Sequence, residues 1–442
     1  MSTETVDVVI VGAGAAGLAA FRHLDGAGKR VLCLEARDRI GGRIYTIHDP
    51  MSPIPIELGA EFVHGRPPEI LRVVESAALK LYACQEHAVH IRDGRARGNE
   101  DAWLQVDDVM KGMEAAVKEG REETFADFIG RSNYSDDAKQ LATSYVEGFN
   151  AARREIIGIQ SIVKDAKAAD QIDGDRAFRI MDGYDAVPRW FTQGVETLSR
   201  KLMLNCPVQA IRWMRGRAEV DFLSVATGAM RSVTATQVII TVPLGVLQAE
   251  PGSMGAIRFQ PEIPNIVAAA KRLRFGQVVR MILRFDEPLW EENEELAEAG
   301  FLLSNERHFP TWWTPLPVRA RSITAWSSGR RPDELLGLPK TELVNRSLHD
   351  LGRILHIDED KLHALLRAVY FHDWQQDPFS RGAYSYVPAH AMTAREILAE
   401  PVADTLFFAG EATELNGHSA TVHGAIASGV RAARQIAPIG HL

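Results

Sequence analysis

The chain has 442 residues, of which 46% are hydrophobic and 24% are charged, and its formal net charge is −8 at pH 7. This length exceeds what one hydrophobic core usually supports, so we expect two domains or one domain with a large insertion. The negative net charge argues against a nucleic-acid partner, which would need a basic face, and it weakly favours a cationic substrate.

Three scattered cysteines, Cys33, Cys84 and Cys206, form no Cys-x-x-Cys pair, so we expect no disulfide, thiol redox site or bound metal. No run of 18 or more apolar residues occurs, so we expect no membrane span. The apolar run at residues 6–11 leads into a glycine loop, which is typical of a buried strand and not of a signal peptide. These features predict a cytoplasmic protein.

The first 35 residues have the pattern of a strand, a helix and a second strand. Residues 6–11 are β-branched and apolar apart from Asp7, residues 15–24 are rich in alanine and leucine, and residues 30–35 contain a second apolar run between Arg30 and Glu35. Such a unit of about 30 residues is typical of a parallel βαβ arrangement.

A G-x-G-x-x-G motif lies between the first strand and the helix, and it comprises Gly12, Ala13, Gly14, Ala15, Ala16 and Gly17. Gly12 permits a tight turn, Gly14 lets the backbone approach a pyrophosphate, and Gly17 allows close packing of helix and strand. The helix N-terminus favours the anion, and Glu35 at the end of the second strand can accept ribose hydroxyls. This combination predicts a dinucleotide site.

A second glycine loop follows, in which Gly41 and Gly42 precede Arg43. The glycines admit a close backbone approach, and the arginine offers a fork for phosphate oxygens. A nicotinamide dehydrogenase has no need for this second loop.

Residues 67–191 have helical periodicity and many charges, so we interpret them as a helical insertion. Strand-like runs return at residues 208–211, 237–242, 278–285 and 405–410, and a small-residue helix follows at 419–434.

The resulting prediction is an α/β fold in which a Rossmann-like dinucleotide-binding domain is interleaved with an α+β substrate-binding domain. We assign residues 1–66, 195–265 and 401–442 to the first domain, and residues 67–194 and 266–400 to the second. The cofactor site is expected where the domains meet, at the carboxyl ends of the parallel strands.

Motifs along almost the whole chain resemble the FAD-binding flavin amine oxidase family, which includes monoamine oxidases, polyamine oxidases, L-amino-acid oxidases and lysine-specific histone demethylases. The segments that carry this resemblance are 34–43, 57–62, 241–247, 382–386, 408–411 and 420–425.

The resemblance implies FAD as the cofactor and assigns its contacts along the chain. The adenosine and pyrophosphate contacts are Gly12, Gly14, Ala15, Ala16, Gly17, Glu35, Ala36, Arg37, Gly41, Gly42 and Arg43, with Val208 at the adenine. The contacts nearer the flavin are Leu58, Gly59, Ala60, Glu61, Trp374, Gly410, Glu411, Thr421 and Val422. A helix that begins at Thr421 would direct its positive end at the flavin.

Ala383 occupies the position at which monoamine oxidases carry the cysteine that bonds to FAD, so we expect FAD to be held non-covalently. Tyr384 matches an aromatic residue that faces the flavin, whereas Thr421 replaces the second wall of the monoamine oxidase cage. His64 matches a histidine near the substrate of animal polyamine oxidases. We therefore treat Tyr384, Thr421 and His64 as candidate catalytic residues.

Arg280 is the main departure from the family, which usually has a lysine there that holds a water near the flavin and assists reoxidation by oxygen. An arginine stays charged and has a planar fork. It is the fourth candidate catalytic residue, and it puts fast reaction with oxygen in doubt.

The predicted reaction oxidises the C–H next to an amine nitrogen to an imine, which hydrolyses to a carbonyl compound, with oxygen (giving hydrogen peroxide) or another acceptor reoxidising the flavin. A polyamine-type or other primary or secondary amine is the favoured substrate. An L-amino-acid oxidase, which would need an arginine clamp, and a flavin desaturase are the alternatives. Two further alternatives rank below these: a protein that resembles a histone demethylase, and a module that binds FAD without redox activity. The sequence does not decide whether the protein forms a homodimer.

Overall fold

The computed structural model describes residues 4–92, 95–97 and 100–438. The strands of these residues fall into two large sheets and three small ones. In chain order they are β1 (Glu4–Val11), β2 (Val31–Leu34), β3 (Thr46–Ile47), β4 (Ile56–Glu57), β5 (Val63–His64), β6 (Leu81–Ala83), β7 (Ala88–Arg92), β8 (Arg95–Arg97), β9 (Ala177–Ile180), β10 (Leu202–Met203), β11 (Val208–Met214), β12 (Arg217–Ser224), β13 (Ala229–Ile240), β14 (Arg258–Gln260), β15 (Arg274–Phe275), β16 (Val279–Phe285), β17 (Phe301–Ser304), β18 (Thr311–Trp313), β19 (Ser322–Ser327), β20 (Leu366–Phe371), β21 (Ser385–Tyr386) and β22 (Leu406–Phe408).

The helices of the described residues flank these sheets. They are α1 (Ala15–Gly26), α2 (Pro68–Ser76), α3 (Glu100–Lys118), α4 (Phe125–Arg131), α5 (Asp136–Asn150), α6 (Ile159–Asp170), α7 (Ala186–Thr192), α8 (Leu198–Lys201), α9 (Leu244–Leu247), α10 (Pro264–Arg272), α11 (Lys340–Leu355), α12 (Glu359–Leu365), α13 (Thr393–Ala399) and α14 (Val422–Ile436). Among them, none is both long and apolar enough to cross a membrane.

The first large sheet contains the predicted βαβ unit. Its order is β10-β2-β1-β13-β12-β11-β14, and β22 also pairs with β13. Strand β1 is parallel to β2 and β13, and β13 is parallel to β22. Val8, Val9 and Ile10 are fully buried, as expected for a strand covered on both faces. The predicted α/β architecture is confirmed.

Helices α1 and α14 cover one face of this sheet, and small residues allow their close contact. A Cβ atom at Gly429 of α14 would lie 2.0 Å from the carbonyl oxygen of Ala16 in α1. The alanine- and glycine-rich sequences of the two helices therefore let their backbones approach. His23 Nε2 also lies 3.0 Å from the Ala437 carbonyl, so the two helices run in the same direction, and the first turns of α14 extend past the start of α1 at one edge of the sheet.

The parallel strands all end at that edge. Gly12 follows β1, Glu35 follows β2, Thr241 follows β13 and Gly410 comes two residues after β22. The carboxyl ends of parallel strands are where open α/β sheets bind ligands. Four segments that are far apart in sequence thus meet at one site.

The second large sheet has the order β20-β16-β19-β18-β17-β7-β8. It includes the predicted strand at residues 278–285, observed as β16, and α11 and α12 pack their apolar faces against it. The prediction of a helical insertion over residues 67–191 is wrong in part, because strands β6 to β9 lie within it. These strands are short and pair with distant partners, for example β7 with β17, so local periodicity did not reveal them.

Candidate active site

The two glycine loops form a backbone cradle. Gly12 has a φ of +103°, and a Cβ at Gly17 would lie 1.9 Å from the Gly12 carbonyl oxygen, so protein packing alone requires these glycines. Gly14 differs: its φ is −75°, and a Cβ there would come no closer than 3.9 Å to the Gly42 Cα atom. Nothing in the protein demands a glycine at Gly14, which fits a backbone that must be approached by a ligand.

The remaining loop residues lie where the motif predicts. Ala15 and Ala16 form the buried first turn of α1, and the Gly41 amide donates to the Ala13 carbonyl at 2.8 Å. The bare helix N-terminus next to these loops favours an anionic group. The arrangement fits a pyrophosphate.

Glu35 is 3% exposed and follows β2 as predicted. One carboxylate oxygen accepts from the Ala13 amide at 2.7 Å, and the other accepts from the Arg37 amide at 2.9 Å, across the partly buried Ala36. The Arg37 side chain donates to Asp377 at 2.8 Å. Asp377 was not singled out in the sequence, because it lies 340 residues from Arg37.

Val208 lies at the start of β11, where it is 6% exposed and pairs with Phe222 of β12. Only its backbone could reach a ligand. Its contact with the adenine stays a prediction.

Arg43 and Glu411 form a partly buried ion pair at 2.9 Å, and the same Arg43 nitrogen donates to the Ala383 carbonyl at 2.7 Å. The second Glu411 oxygen accepts from the Ser385 hydroxyl at 2.6 Å and from the Ala420 amide at 3.2 Å. Burial works to raise the pKa of Glu411, but Arg43 and these hydrogen bonds hold it below its usual value. Glu411 therefore joins the second glycine loop to the two C-terminal segments.

Gly410, next to Glu411, has a φ of +125°, and its amide donates to the Ser428 hydroxyl of α14 at 2.9 Å. A Cβ there would lie no closer than 3.9 Å to any protein atom outside its neighbours. The backbone at Gly410 is thus anchored on one side and open on the other, as a cofactor contact requires.

The segment at residues 58–61 runs directly over the Arg43 backbone. A Cβ at Gly59 would lie 1.8 Å from the Arg43 carbonyl oxygen, and the Ala60 amide donates to that oxygen at 3.1 Å. Trp374 is buried, and its indole N–H donates to the Leu58 carbonyl at 2.8 Å. The segment predicted to pass the flavin is therefore held rigidly from both sides.

Arg280 of β16 is 7% exposed and donates to the Gly59 carbonyl and to the Glu61 carboxylate. Glu61 also accepts from Arg179 at 2.6 Å and from the Trp313 indole at 3.0 Å. Burial opposes its charge, but the two guanidinium groups hold the pKa of Glu61 below its usual value. Arginine cannot lose its proton in proteins, so two buried cations share one carboxylate here.

Glu57, two residues before Gly59, is a contrasting carboxylate. It accepts from the Thr46 hydroxyl at 2.6 Å and from the Tyr184 amide at 2.8 Å. Burial raises the pKa of Glu57 to about 8, so it is mostly protonated near pH 7. The two acids of this segment thus differ in charge because only Glu61 contacts guanidinium groups.

His64, Phe149 and Tyr384 come together on the side of the site toward α5. The rings of His64 and Phe149 are 5.5 Å apart, and the Tyr384 hydroxyl donates to the Phe149 carbonyl at 2.9 Å. Phe149 also stacks on Tyr145 at 5.8 Å and is 54% exposed. Burial lowers the pKa of His64 to about 4, so this wall is neutral and aromatic.

The last helix begins at the site. Thr421 is the N-cap of α14: its hydroxyl accepts from the Gly424 amide at 2.9 Å and donates to the His418 carbonyl at 2.6 Å. Val422 is the first helical residue, as predicted. The Thr421 hydroxyl is thus committed to the helix start, and its role toward a substrate stays a prediction.

Several residues at the site were missed by sequence reasoning: Arg179, Trp313, Asp377, Phe149 and His423. His423 is 5% exposed, and its ring lies 5.0 Å from that of His418. His423 lies within the motif segment 420–425 but was not assigned a role, and the other four lie outside the motif segments, so only their position in the fold reveals them.

Comparison with known proteins agrees with this geometry. The model of the family described as flavin-containing amine oxidoreductase matches residues 15–437. Polyamine oxidase 3 of Oryza sativa subsp. japonica is 27% identical over 98% of this chain and 89% of its own length. Lysine-specific histone demethylase 1 homolog 3 of Arabidopsis thaliana is 27% identical over 99% of this chain, which spans 30% of that relative.

The solved structure of wild-type putrescine oxidase bound to putrescine superimposes with a TM-score of 0.82 and 20% identity, covering 99% of this chain and 100% of that one. At this identity the likeness shows the fold alone. The family match extends from the first helix to the end of the last, so the motifs and the fold lead to one assignment. This chain belongs to the flavin-containing amine oxidoreductase family and is an FAD-dependent enzyme that oxidises amines.

Proposed function

We propose that the substrate is a primary or secondary amine that carries an apolar group next to the reacting carbon. The observation that carries this proposal is the neutral aromatic wall of His64, Phe149 and Tyr384. Bound FAD supplies a two-electron acceptor for the C–H bond next to nitrogen. The residues of the chain orient the amine, exclude water, and keep the net charge around the substrate unchanged during the reaction.

The charges around the site support an amine without a second cationic group nearby. Glu61 is shared by Arg179 and Arg280, and Glu57 is mostly protonated near pH 7. Neither acid has spare negative charge for a distant ammonium. The positive balance also favours loss of the proton from a bound ammonium, since like charges disfavour the charged form.

A polyamine-type substrate is the second candidate. The rice relative is named a polyamine oxidase and is 27% identical over 98% of this chain. An L-amino-acid substrate has less support, because the two buried arginines next to the site already pair with Glu61.

The proposed FAD contacts follow the motifs. The glycine loops and Glu35 hold the pyrophosphate and ribose, Val208 reaches the adenine through its backbone, and the clamped segment 58–61 with Trp374 lies along the flavin. The starts of α1 and α14 supply positive dipole ends. Ala383 offers no thiol, so the attachment is non-covalent, and acid denaturation should release all FAD into the supernatant.

The proposed electron acceptor is oxygen, giving hydrogen peroxide, or another oxidant. Hydrogen bonds to Gly59 and Glu61 hold the Arg280 guanidinium group in place. It therefore has little freedom to hold a water near the flavin, as a lysine would. This favours slow reoxidation by oxygen.

A cytoplasmic location and the two-domain division at residues 66, 194, 265 and 400 remain proposals of the same kind. The three cysteines are free and buried, which agrees with a reducing compartment.

The direct test is an anaerobic panel of amines followed by flavin absorbance. It would include benzylamine, a straight-chain monoamine, putrescine, spermidine and an L-amino acid. We expect bleaching with the apolar monoamines, at lower concentrations than with the diamine or polyamine. Exclusive reduction by spermidine would replace the first candidate by the second, and no bleaching by any amine would refute amine oxidation for this panel.

A further inference from the structure

A turn at residues 372–382 contacts the cleft at two points, through Trp374 and Asp377. Trp374 binds the Leu58 carbonyl at 2.8 Å, at the proposed flavin end. Asp377 accepts from Arg37 at 2.8 Å and lies 2.9 Å from His372 Nε2, at the proposed adenosine end. The turn closes on itself, since the Gly382 amide donates to the Trp374 carbonyl at 2.9 Å.

Arg37 stands between two carboxylates. Its Nη2 lies 2.8 Å from Asp377, whereas its Nη1 lies 3.8 Å from Glu35. The side chains of Arg37, Asp377 and Glu35 are 12%, 8% and 4% exposed. Opposite charges that are buried to this degree attract each other more strongly than they do in water. Whether the Arg37 guanidinium pairs with Asp377 or with Glu35 therefore decides how available the Glu35 carboxylate is to a ligand.

Each Glu35 oxygen accepts one backbone amide, from Ala13 and from Arg37. A carboxylate oxygen has two lone pairs, so each can accept a further donor. That capacity would be taken up if the Arg37 guanidinium moved onto Glu35. In the structure the Arg37 guanidinium donates to Asp377 instead.

We propose that Asp377 is a positioning residue for FAD: it draws the Arg37 guanidinium off Glu35 and so keeps the Glu35 carboxylate available to the ribose hydroxyls. This rests on the proposed FAD site. Asp377 is itself well supported, because its second oxygen accepts from the Phe379 amide at 2.9 Å. Although burial works against it, contacts with His372 and Arg37 keep the pKa of Asp377 at about 2, so it is charged throughout the physiological range.

The experiment measures the dissociation constants of FAD, ADP and FMN for the full-length apoprotein by fluorescence and calorimetry. Asp377→Asn keeps the shape but loses the charge. We expect it to weaken FAD and ADP by about tenfold, the scale of one charge-assisted hydrogen bond, and to leave FMN unchanged. The matched control is Asp373→Asn in the same turn, whose carboxylate accepts from the Gln375 and Gln376 amides at 3.1 and 3.0 Å; all three affinities should stay unchanged.

A second variant separates positioning from a general structural role. Arg37→Gln should strengthen FAD binding in the Asp377→Asn background, because the cation that would cover Glu35 is gone. In the wild-type background the same change should weaken it or leave it unchanged. A gain in FAD affinity in the Asp377→Asn background, with no gain in the wild-type background, is the signature of the proposal.

The proposal is overturned if Asp377→Asn leaves FAD affinity unchanged, if FMN weakens as much as ADP, or if Arg37→Gln gives no recovery. The FAD site itself is tested by Glu35→Ala. If that change leaves FAD affinity intact, the ribose assignment fails; if it weakens FAD while Asp377→Asn does not, only the role of Asp377 fails.

Discussion

The proposed adenosine end and the proposed substrate end of the cleft are built in different ways. The adenosine end uses backbone atoms of two glycine loops that are close in sequence, at Gly12 to Gly17 and at Gly41 to Arg43. The substrate end uses side chains from separate elements: Arg280 from β16, Phe149 from α5 and Tyr384 from the C-terminal third. A common cofactor can be bound by a fixed local motif, whereas an amine specific to this enzyme must be recognised by residues that can vary independently.

The two ends also differ in how they handle charge. At the adenosine end, Glu35 has room to accept a ligand hydroxyl. At the substrate end, Glu61 accepts from Arg179, Arg280 and Trp313, and two guanidinium groups more than balance its charge. Changes at the first end should therefore act on FAD affinity, and changes at the second should act on stability and on the reaction.

The largest effect is expected for Glu61→Gln. It leaves two buried guanidinium groups without their carboxylate, and breaking such a pair typically costs about 3–5 kcal/mol of the free energy of unfolding. Urea denaturation of the holoenzyme measures it.

Glu57→Gln is the matched control for Glu61→Gln, since the Glu57 carboxyl is equally hidden but mostly neutral near pH 7. Its pKa is about 8 when folded and about 4.5 when unfolded, so its contribution to stability falls as the pH rises from about 4.5 to about 8. The Glu57→Gln change should remove that pH dependence with little loss of stability at pH 5. Equal losses for both variants at pH 7 would contradict the charge assignment.

The next effect concerns the adenosine end. Glu35→Ala removes a charged acceptor worth roughly 1.5–3 kcal/mol, so FAD affinity should fall by roughly ten- to a hundredfold. Titration of the apoprotein with FAD measures it. An unchanged dissociation constant would mean that Glu35 does not bind the ribose.

Phe149→Ala tests whether the aromatic wall contacts the substrate. Loss of roughly 1.5 kcal/mol of apolar contact should raise the dissociation constant of benzylamine about tenfold, with the limiting rate of flavin reduction little changed. Trp103→Ala is the control. Trp103 is also exposed, but it contacts Tyr145, which lies between it and Phe149. A similar loss in both variants would place the substrate elsewhere.

The smallest change is expected for Arg280→Lys, which keeps the charge and alters the fork. Reoxidation in air should become faster, while reduction by amine stays within a few-fold, because the positive charge remains. Stopped-flow absorbance of both half-reactions decides it. Rapid reoxidation of the wild type, with no gain in the lysine variant, would show that Arg280 does not control oxygen.

The sequence by itself determined the parts of this protein that depend on short-range geometry. A G-x-G-x-x-G turn needs glycines at fixed spacing, and the buried strands beside it need continuous apolar runs. For this reason the βαβ unit, the late strand at β22 and the final helix were predicted close to their observed bounds.

Only the tertiary structure decided the contacts between distant segments. Asp377 meets Arg37 across 340 residues, and Glu61 meets Arg280 across 219. Arg37, Glu61 and Arg280 lie in segments that resemble the family, but nothing in the local sequence shows which residue each of them pairs with, and Asp377 has no local signal at all. Their meeting depends on how distant segments pack, and because burial disfavours an isolated charge, these groups stay charged only through the partners that the fold brings to them.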